Sequence, residues 1–343
     1  MGNGMKAIQI SAPRLVELID RPPVDPKQSE AILKLHYGGI CGSDLGSYRG
    51  TFAYFSYPRI PGHEFSAEIV EIGSNDKGLK PGMLVTANPY FNCGRCYACS
   101  KGLVNACMDN QTMGSQRQGA FAEFITMPIS RIHDGKGLDA KTLALIEPFC
   151  IASHGIQQAH PDAHDRVLVI GTGTIGLMAA MAARMEGCEV VVSDISPNKL
   201  ALAGQFGFDQ GILNDDKEHF AEQVNQYTQG AGFDIVIEAV GLPSTFLAAV
   251  DSAAHGGRVI QIGVGKEHAD FNFTLIQKKE LHVIGSRNAL DRDFAYVISM
   301  AKQGKINLKG LISSVYPYEQ ASEAFAEFDR NAGSILKILL SFS

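Results

Sequence analysis

The sequence predicts an α/β chain of two domains, one β-rich and one built on a doubly wound parallel sheet, and three observations carry that expectation. The 343 residues exceed the length at which a single hydrophobic core stops growing. Up to about Ile146, apolar residues fall in short β-rich runs broken by Gly and Pro, as at 31–35 and 67–72. From Asp165 the pattern changes to continuous apolar stretches at 167–170, 189–193, 235–238, 259–262 and 281–284, separated by helix-prone segments. That alternation is the mark of a parallel sheet buried on both faces. The expected boundaries are 5–150 for the β-rich domain, 151–286 for the parallel sheet, and 287–343 returning to the first domain. The return is inferred because the helical stretch 294–303 and the apolar run 335–340 break the alternation. Met1-Gly2-Asn3-Gly4 stands before a second methionine and a strand-like start at 6–10, so it is set apart from the fold.

A hydrophobic share of 45% and a charged share of 19% describe a chain able to bury a substantial core. The net charge of -6, with no Lys/Arg-rich run, gives no electrostatic footprint for nucleic acid or anionic membrane. No apolar stretch reaches the roughly 18 residues of a membrane span, and no secretory pattern opens the chain. The expectation is a cytoplasmic protein with a small-molecule partner. Seven cysteines in such a chain point to metal or thiol roles rather than a disulfide framework.

Four of them, Cys93, Cys96, Cys99 and Cys107, form C-x2-C-x2-C-x7-C inside a Gly-containing lobe at about 92–109. Four thiolates so close together suit a tetrahedral zinc ion, and four protein sulfurs leave no open position, so the site reads as structural. An iron–sulfur cluster, the rival reading, takes the same ligands. Cys150 and Cys188 lack metal-ligand spacing and are expected as buried thiols.

Cys41, in Gly39-Ile40-Cys41-Gly42-Ser43-Asp44, and His63-Glu64, in Pro61-Gly62-His63-Glu64, offer a thiolate, an imidazole and a carboxylate. Fewer than four firm ligands would leave room on zinc for water or a substrate oxygen. Each alone fits equally well a buried small residue or a satisfied polar one.

The apolar stretch 167–170 runs straight into Gly171-Thr172-Gly173-Thr174-Ile175-Gly176 and then a helix-prone segment. This placement of G-x-G-x-x-G between strand and helix predicts a pyrophosphate cradle, with Gly171, Gly173, Thr174, Ile175 and Gly176 at the helix N-terminus. Asp194 ends the next apolar stretch and falls where an acid binds the ribose hydroxyls; with no arginine just after it, NAD is favoured over NADP. Asp194 as the N-cap of the following helix is the alternative, and leaves NADP open.

With these motifs in order, together with 81–85 (Pro-Gly-Met-Leu-Val) and Glu147-Pro148, the chain resembles the zinc-containing medium-chain dehydrogenases over nearly its whole length, especially their sorbitol, threonine and hexonate branches. The resemblance implies a GroES-like catalytic domain and a Rossmann NAD-binding domain. It implies a catalytic zinc held by Cys41 and His63, with Glu64 as a direct or exchangeable ligand and Glu147 at the metal directly or through its water, and a second, structural zinc in the cysteine lobe. It implies that Ser43 takes the substrate proton and that Asp44 orients a ligand. Lys199, Val240, Val264 and Ser286 are implied as further cofactor-binding positions. Many relatives carry a histidine in a Cys-Gly-x-Asp-x-His relay; here Gly46 stands in its place, and Tyr48 is one candidate to replace it.

The function so implied is zinc-assisted removal of hydride from an alcohol carbon to NAD. Gly285-Ser286-Arg287-Asn288 resembles the hexonate branch, and a guanidinium at Arg287 suits a carboxylate. The expected substrate is therefore a sugar acid such as L-gulonate or L-galactonate, with sorbitol-type polyols or L-threonine as alternatives; Arg287 packing structurally or touching the cofactor is the plainer reading. Two rival readings fit the same residues. A non-enzymatic zinc-binding module would keep its function without NAD binding, and a zinc-free reductase would hold one zinc per chain instead of two. Relatives are commonly dimers or tetramers, and 259–262 is the stretch expected to join sheets between subunits.

Overall fold

The computed structural model describes residues 4–342; Met1, Gly2 and Asn3 of the tetrapeptide set apart above lie outside the described residues. The chain divides into two compact units, one gathering the residues up to Glu147 and those from Ala289 onward, the other Pro148–Asn288.

In the second unit six parallel strands lie in the order Gly211–Leu213, Glu189–Asp194, Arg166–Ile170, Phe233–Glu238, Ala253–Gln261 and His282–Gly285. Counted along the chain this order is third, second, first, fourth, fifth, sixth. The direction of winding reverses at Arg166–Ile170, and ligands of such sheets bind beyond the carboxyl ends of the strands at that reversal. The interior strands bury their Val, Ile and Leu at 167–170, 191–192, 235–237 and 259–260, as a sheet covered on both faces requires. The helix Thr174–Met185 buries Leu177 through Ala183, small enough in the main to let it lie close to the sheet. Gly211–Leu213 escapes sequence reading because only three residues form it, with Ile212 alone fully buried.

One expectation is overturned. The stretch 259–262 cannot join sheets between subunits, because Ala253–Gln261 pairs with Phe233–Glu238 on one side and His282–Gly285 on the other. Among the described residues the sheet's open edges are Gly211–Leu213 and His282–Gly285.

In the first unit the strand Glu30–Ile40 is the hub. It pairs antiparallel with Glu64–Glu71, with Phe124–Pro128 and with Lys337–Ser341 near the end of the chain. Ala31, Leu33 and Leu35 alternate into a core shared with Phe65, Ile69, Phe121 and Phe325. Gly39 lies opposite Glu64 in this ladder. A Cβ there would stand 2.4 Å from Glu64 Oε2, so the missing side chain makes room for the carboxylate. No helix among the described residues is long and apolar enough to cross a membrane.

Candidate active site

The hub strand ends at Ile40 and the helix Gly42–Arg49 begins at once, with Cys41 as its N-cap. Asp44, two per cent exposed, closes this turn from inside. Its Oδ2 accepts from Cys41 N at 3.0 Å and its Oδ1 from Gly62 N at 3.3 Å. One buried carboxylate thus ties the loop carrying Cys41 to the loop carrying His63. Cys41, His63 and Glu64 each present a ligand atom, all within 4.8 Å of one another. Gly62, at φ +100°, leaves no room for a side chain, since a Cβ would meet the Phe121 ring at 2.2 Å.

Both glutamates expected at the metal are buried, but they are held differently. Glu64 accepts from Lys337 Nζ through both oxygens, at 2.8 and 2.6 Å, and both side chains are nearly wholly buried. Glu147, in the first turn of the helix Ile146–Gln158, accepts from the Tyr90 hydroxyl. It lies outside the group of three but feels the charges of His63 and Glu64. Burial, reinforced by the Glu64 charge and opposed by His63, pushes the Glu147 carboxyl up to about 7.

These residues fit a bound cation. Burial works against a charged His63 ring, yet the Cys41 thiolate and the Asp44 carboxylate outweigh it and hold its pKa well above the ordinary value. His63 Nδ1 is buried without a hydrogen-bond partner among the described residues, Asp44 Oδ1 standing 4.0 Å away. A half-buried cysteine sulfur with a buried imidazole and carboxylate, all within 4.8 Å, is a donor set that suits an open zinc site.

The cysteine lobe forms the second group. Cys93, Cys96, Cys99 and Cys107 bring their sulfurs within 4.8 Å of one another, and Cys96 and Cys107 are 3.9 Å apart. Zinc–sulfur bonds of 2.3 Å in a tetrahedron put sulfurs roughly 3.8 Å apart. Backbone N–H groups of Cys99 and Met108 pull the Cys96 thiol down to about 6, while burial pushes the Cys107 thiol up to about 11. The lobe is not all loop: Tyr97–Ser100 forms one helical turn and Val104–Ala106 a tighter one.

In the second unit, Gly171, Gly173, Asp194, Lys199 and Val240 line one cavity of ≈ 630 Å³. Gly173 caps the twelve-residue helix Thr174–Met185 without a side-chain hydrogen bond, and a Cβ on it would meet nothing within 4 Å. Open space thus lies against the helix N-terminus, the kind of place where a pyrophosphate binds. Asp194 Oδ2 accepts from Thr172 N and Thr172 Oγ1 at 2.9 and 3.0 Å, and Oδ1 accepts from Ser196 N. The N-cap alternative for Asp194 falls, because Ser196 caps the helix Pro197–Gly204 through Lys199 N. Val264 is exposed beyond its strand; Ser286 follows the strand His282–Gly285, with Ser286 N bonded to Gln261 O. Arg287 is exposed, and none of these three lines the cavity.

A Cβ on Gly176 would fall 1.7 Å from the Gly171 carbonyl oxygen, a backbone atom that cannot step aside. Gly176→Ala is expected to destabilise the protein by about 1–3 kcal/mol or more through overpacking. It should also weaken NADH binding at least tenfold, or about 1.4 kcal/mol. Fluorescence titration with NADH checks this, and wild-type affinity would refute it.

Ser43 sits in the first turn of Gly42–Arg49, half-buried, its carbonyl accepting from Ser47 Oγ. Tyr48 is engaged in the core, its ring against Phe325 and the Arg14 guanidinium over it, so it is a packing residue and leaves the relay position to others. Three residues escape sequence reading. Lys337 had a signal, a lone charge inside the apolar run 335–340, which demands a buried partner. Glu238 had the same signal at the end of an apolar strand; it is fully buried and accepts from Val240 N, Gly241 N and Thr245 Oγ1. Tyr90 had none.

Residues 27–136 match the family model described as alcohol dehydrogenase GroES-like domain, and residues 174–303 that described as zinc-binding dehydrogenase. The chain is 34% identical to L-galactonate-5-dehydrogenase of Escherichia coli K12 over 92% of its length and 93% of that protein's. It is 31% identical to sorbitol dehydrogenase of Halalkalibacterium halodurans, over 94% of each. Among solved structures, an alcohol dehydrogenase of E. coli CFT073 complexed with the cofactor NADH superposes with a TM-score of 0.91 at 30% identity, covering 99% of this chain and 100% of that one. The two zinc-ligand groups and the glycine cradle thus occur in a chain related end to end to alcohol and polyol dehydrogenases, and the protein is an oxidoreductase belonging to the zinc-containing medium-chain alcohol dehydrogenase family.

Proposed function

We propose that this protein oxidises a secondary alcohol of a sugar acid or polyol to the ketone with NAD, its preferred substrate being a hexonate such as L-gulonate or L-galactonate. The observation that carries the reading is the convergence of Cys41, His63 and Glu64 within 4.8 Å, an open donor set. When bound there, zinc supplies Lewis acidity to the substrate hydroxyl and NAD accepts the hydride. The chain's own part is to hold the ligands: Asp44 orients the turn of Cys41 and the backbone before His63, Lys337 holds Glu64, and Glu147 approaches from the helix Ile146–Gln158. Ser43 is assigned the substrate proton. The pyrophosphate falls to the backbone around Gly171, Gly173, Thr174, Ile175 and Gly176, and Asp194, with Ile195 and Ser196 following it, favours NAD over NADP by repelling a 2′-phosphate. Lys199, Val240, Val264 and Ser286 complete the cofactor surface.

The substrate class draws on two supports, the relation to a protein named L-galactonate-5-dehydrogenase and the exposed Arg287, whose guanidinium suits a carboxylate. We further propose a cytoplasmic homodimer or homotetramer. Initial rates with NAD and NADP on aldonates, polyols and threonine test the proposal. The expected result is NAD-linked oxidation of hexonates with kcat/KM at least about tenfold above that for sorbitol, a margin of 1.4 kcal/mol in transition-state binding. Turnover of sorbitol or threonine with none of hexonates would remove the sugar-acid reading.

A further inference from the structure

Tyr90 lies six per cent exposed in the first unit, on the two-residue strand Tyr90–Phe91 that pairs with Gln111–Thr112. Its hydroxyl donates to Glu147 Oε1. The segment that carries it is fixed from several sides. Tyr90 N donates to Asn88 Oδ1 at 3.0 Å, Arg131 Nη1 donates to Tyr90 O, and Arg131 Nη2 donates to Asn92 Oδ1 at 2.9 Å. The guanidinium groups of Arg117 and Arg131 stand 3.7 and 4.4 Å from the Phe91 ring centre. Three residues after Tyr90 the chain enters the cysteine lobe at Cys93.

The two buried glutamates therefore have partners of different kinds. Glu64 is met through both oxygens by a cation, Lys337, which neutralises it. Glu147 is met at one oxygen by a phenol, which orients the carboxyl group without bringing a positive charge to it. A neutral hydrogen-bond partner gives the Glu147 carboxyl a direction, the part that outer partners of metal ligands commonly play.

We infer that Tyr90 is a positioning residue, whose hydroxyl fixes the Glu147 carboxylate in the direction from which it serves the metal held by Cys41 and His63. The inference rests on the reading of Glu147 as part of that metal site. It makes the segment before Cys93 a covalent link between the cysteine lobe and a residue that orients a carboxylate of the open site.

The test compares the zinc-loaded wild type with Tyr90→Phe, Glu147→Gln and the double variant. Zinc retention is measured by competition with a chromogenic chelator, and ligand geometry by the visible spectrum of cobalt-substituted protein. Tyr90→Phe keeps the ring and its packing, so it should keep the lobe zinc. Its open site should release zinc with a dissociation constant raised 10–100-fold, the usual effect of removing a partner of a metal ligand, and the cobalt bands should shift. In the Glu147→Gln background, Tyr90→Phe should add nothing further. Wild-type affinity and spectrum in Tyr90→Phe, or effects that multiply in the double variant, overturn the inference. Loss of the lobe zinc as well would assign the hydroxyl to the fold and also overturn it. These readouts do not depend on which alcohol is oxidised, so a substrate panel negative for hexonates leaves them standing.

Discussion

Lys337→Met is expected to destabilise the protein by about 3–5 kcal/mol, the usual consequence of stranding one member of a buried ion pair. Lys337 Nζ reaches both oxygens of Glu64 and the Ile40 carbonyl at 3.3 Å, and the two side chains are only 3% and 1% exposed. Methionine fills nearly the same volume, so the loss isolates the charge rather than packing. The double variant Glu64→Gln with Lys337→Met should regain most of the stability, because the buried carboxylate goes with its partner. A pH dependence follows. Burial opposes the charge on Lys337, but the anions of Glu64 and Cys41 outweigh it and raise its pKa above the ordinary 10.5. A raised folded-state pKa gives stability that is complete below 10.5 and is lost as pH climbs through the higher folded value. The wild type should therefore weaken in strong alkali in a way the single variant does not. Urea unfolding of the zinc-loaded proteins measures both effects, and a Lys337→Met variant as stable as wild type would refute the assignment.

That pair also shows where sequence reading stops. The doubly wound sheet was legible because continuous apolar stretches at regular intervals are a local signal, and the glycine cradle because it is written in six adjacent residues. The cysteine lobe was legible for the same reason. Cys41, His63 and Glu64 were recognisable only with the family pattern, since each alone suits an ordinary core. Lys337 stands 273 positions from Glu64, and their meeting depends on the register of Lys337–Ser341 against Glu30–Ile40, in which Ile338 faces Ile40. Nothing local fixes that register. Tyr90 and Glu147 are 57 positions apart, and an aromatic residue beside proline has many ordinary uses. The open edge of the parallel sheet was misplaced for a related reason: 259–262 and 281–284 are both apolar, and only the pairing shows which strand has neighbours on both sides.

His63→Ala should lower kcat/KM at least about 10³-fold while leaving the protein folded. Without a metal, Cys41, Asp44, Glu64 and Glu147 surround a histidine whose proton is the compensation they can find locally, alongside Lys337. Removing the imidazole takes away one of the few firm ligands of the proposed open zinc site, and with the ion would go the Lewis acidity proposed to act on the substrate hydroxyl. A contribution of several kcal/mol from that source corresponds, at 1.36 kcal/mol per tenfold, to three or more orders of magnitude. The scaffold should survive, because Asp44 keeps its bonds to Cys41 N and Gly62 N and neither involves the ring. The cysteine lobe is a separate group of ligands, so zinc content should fall from two ions per chain to one, with the lobe's ion retained. Metal analysis and steady-state rates on the same preparation decide the matter. A variant that turns over normally with one zinc per chain would place the chemistry elsewhere, and a variant that loses both ions would show that the two sites are not independent.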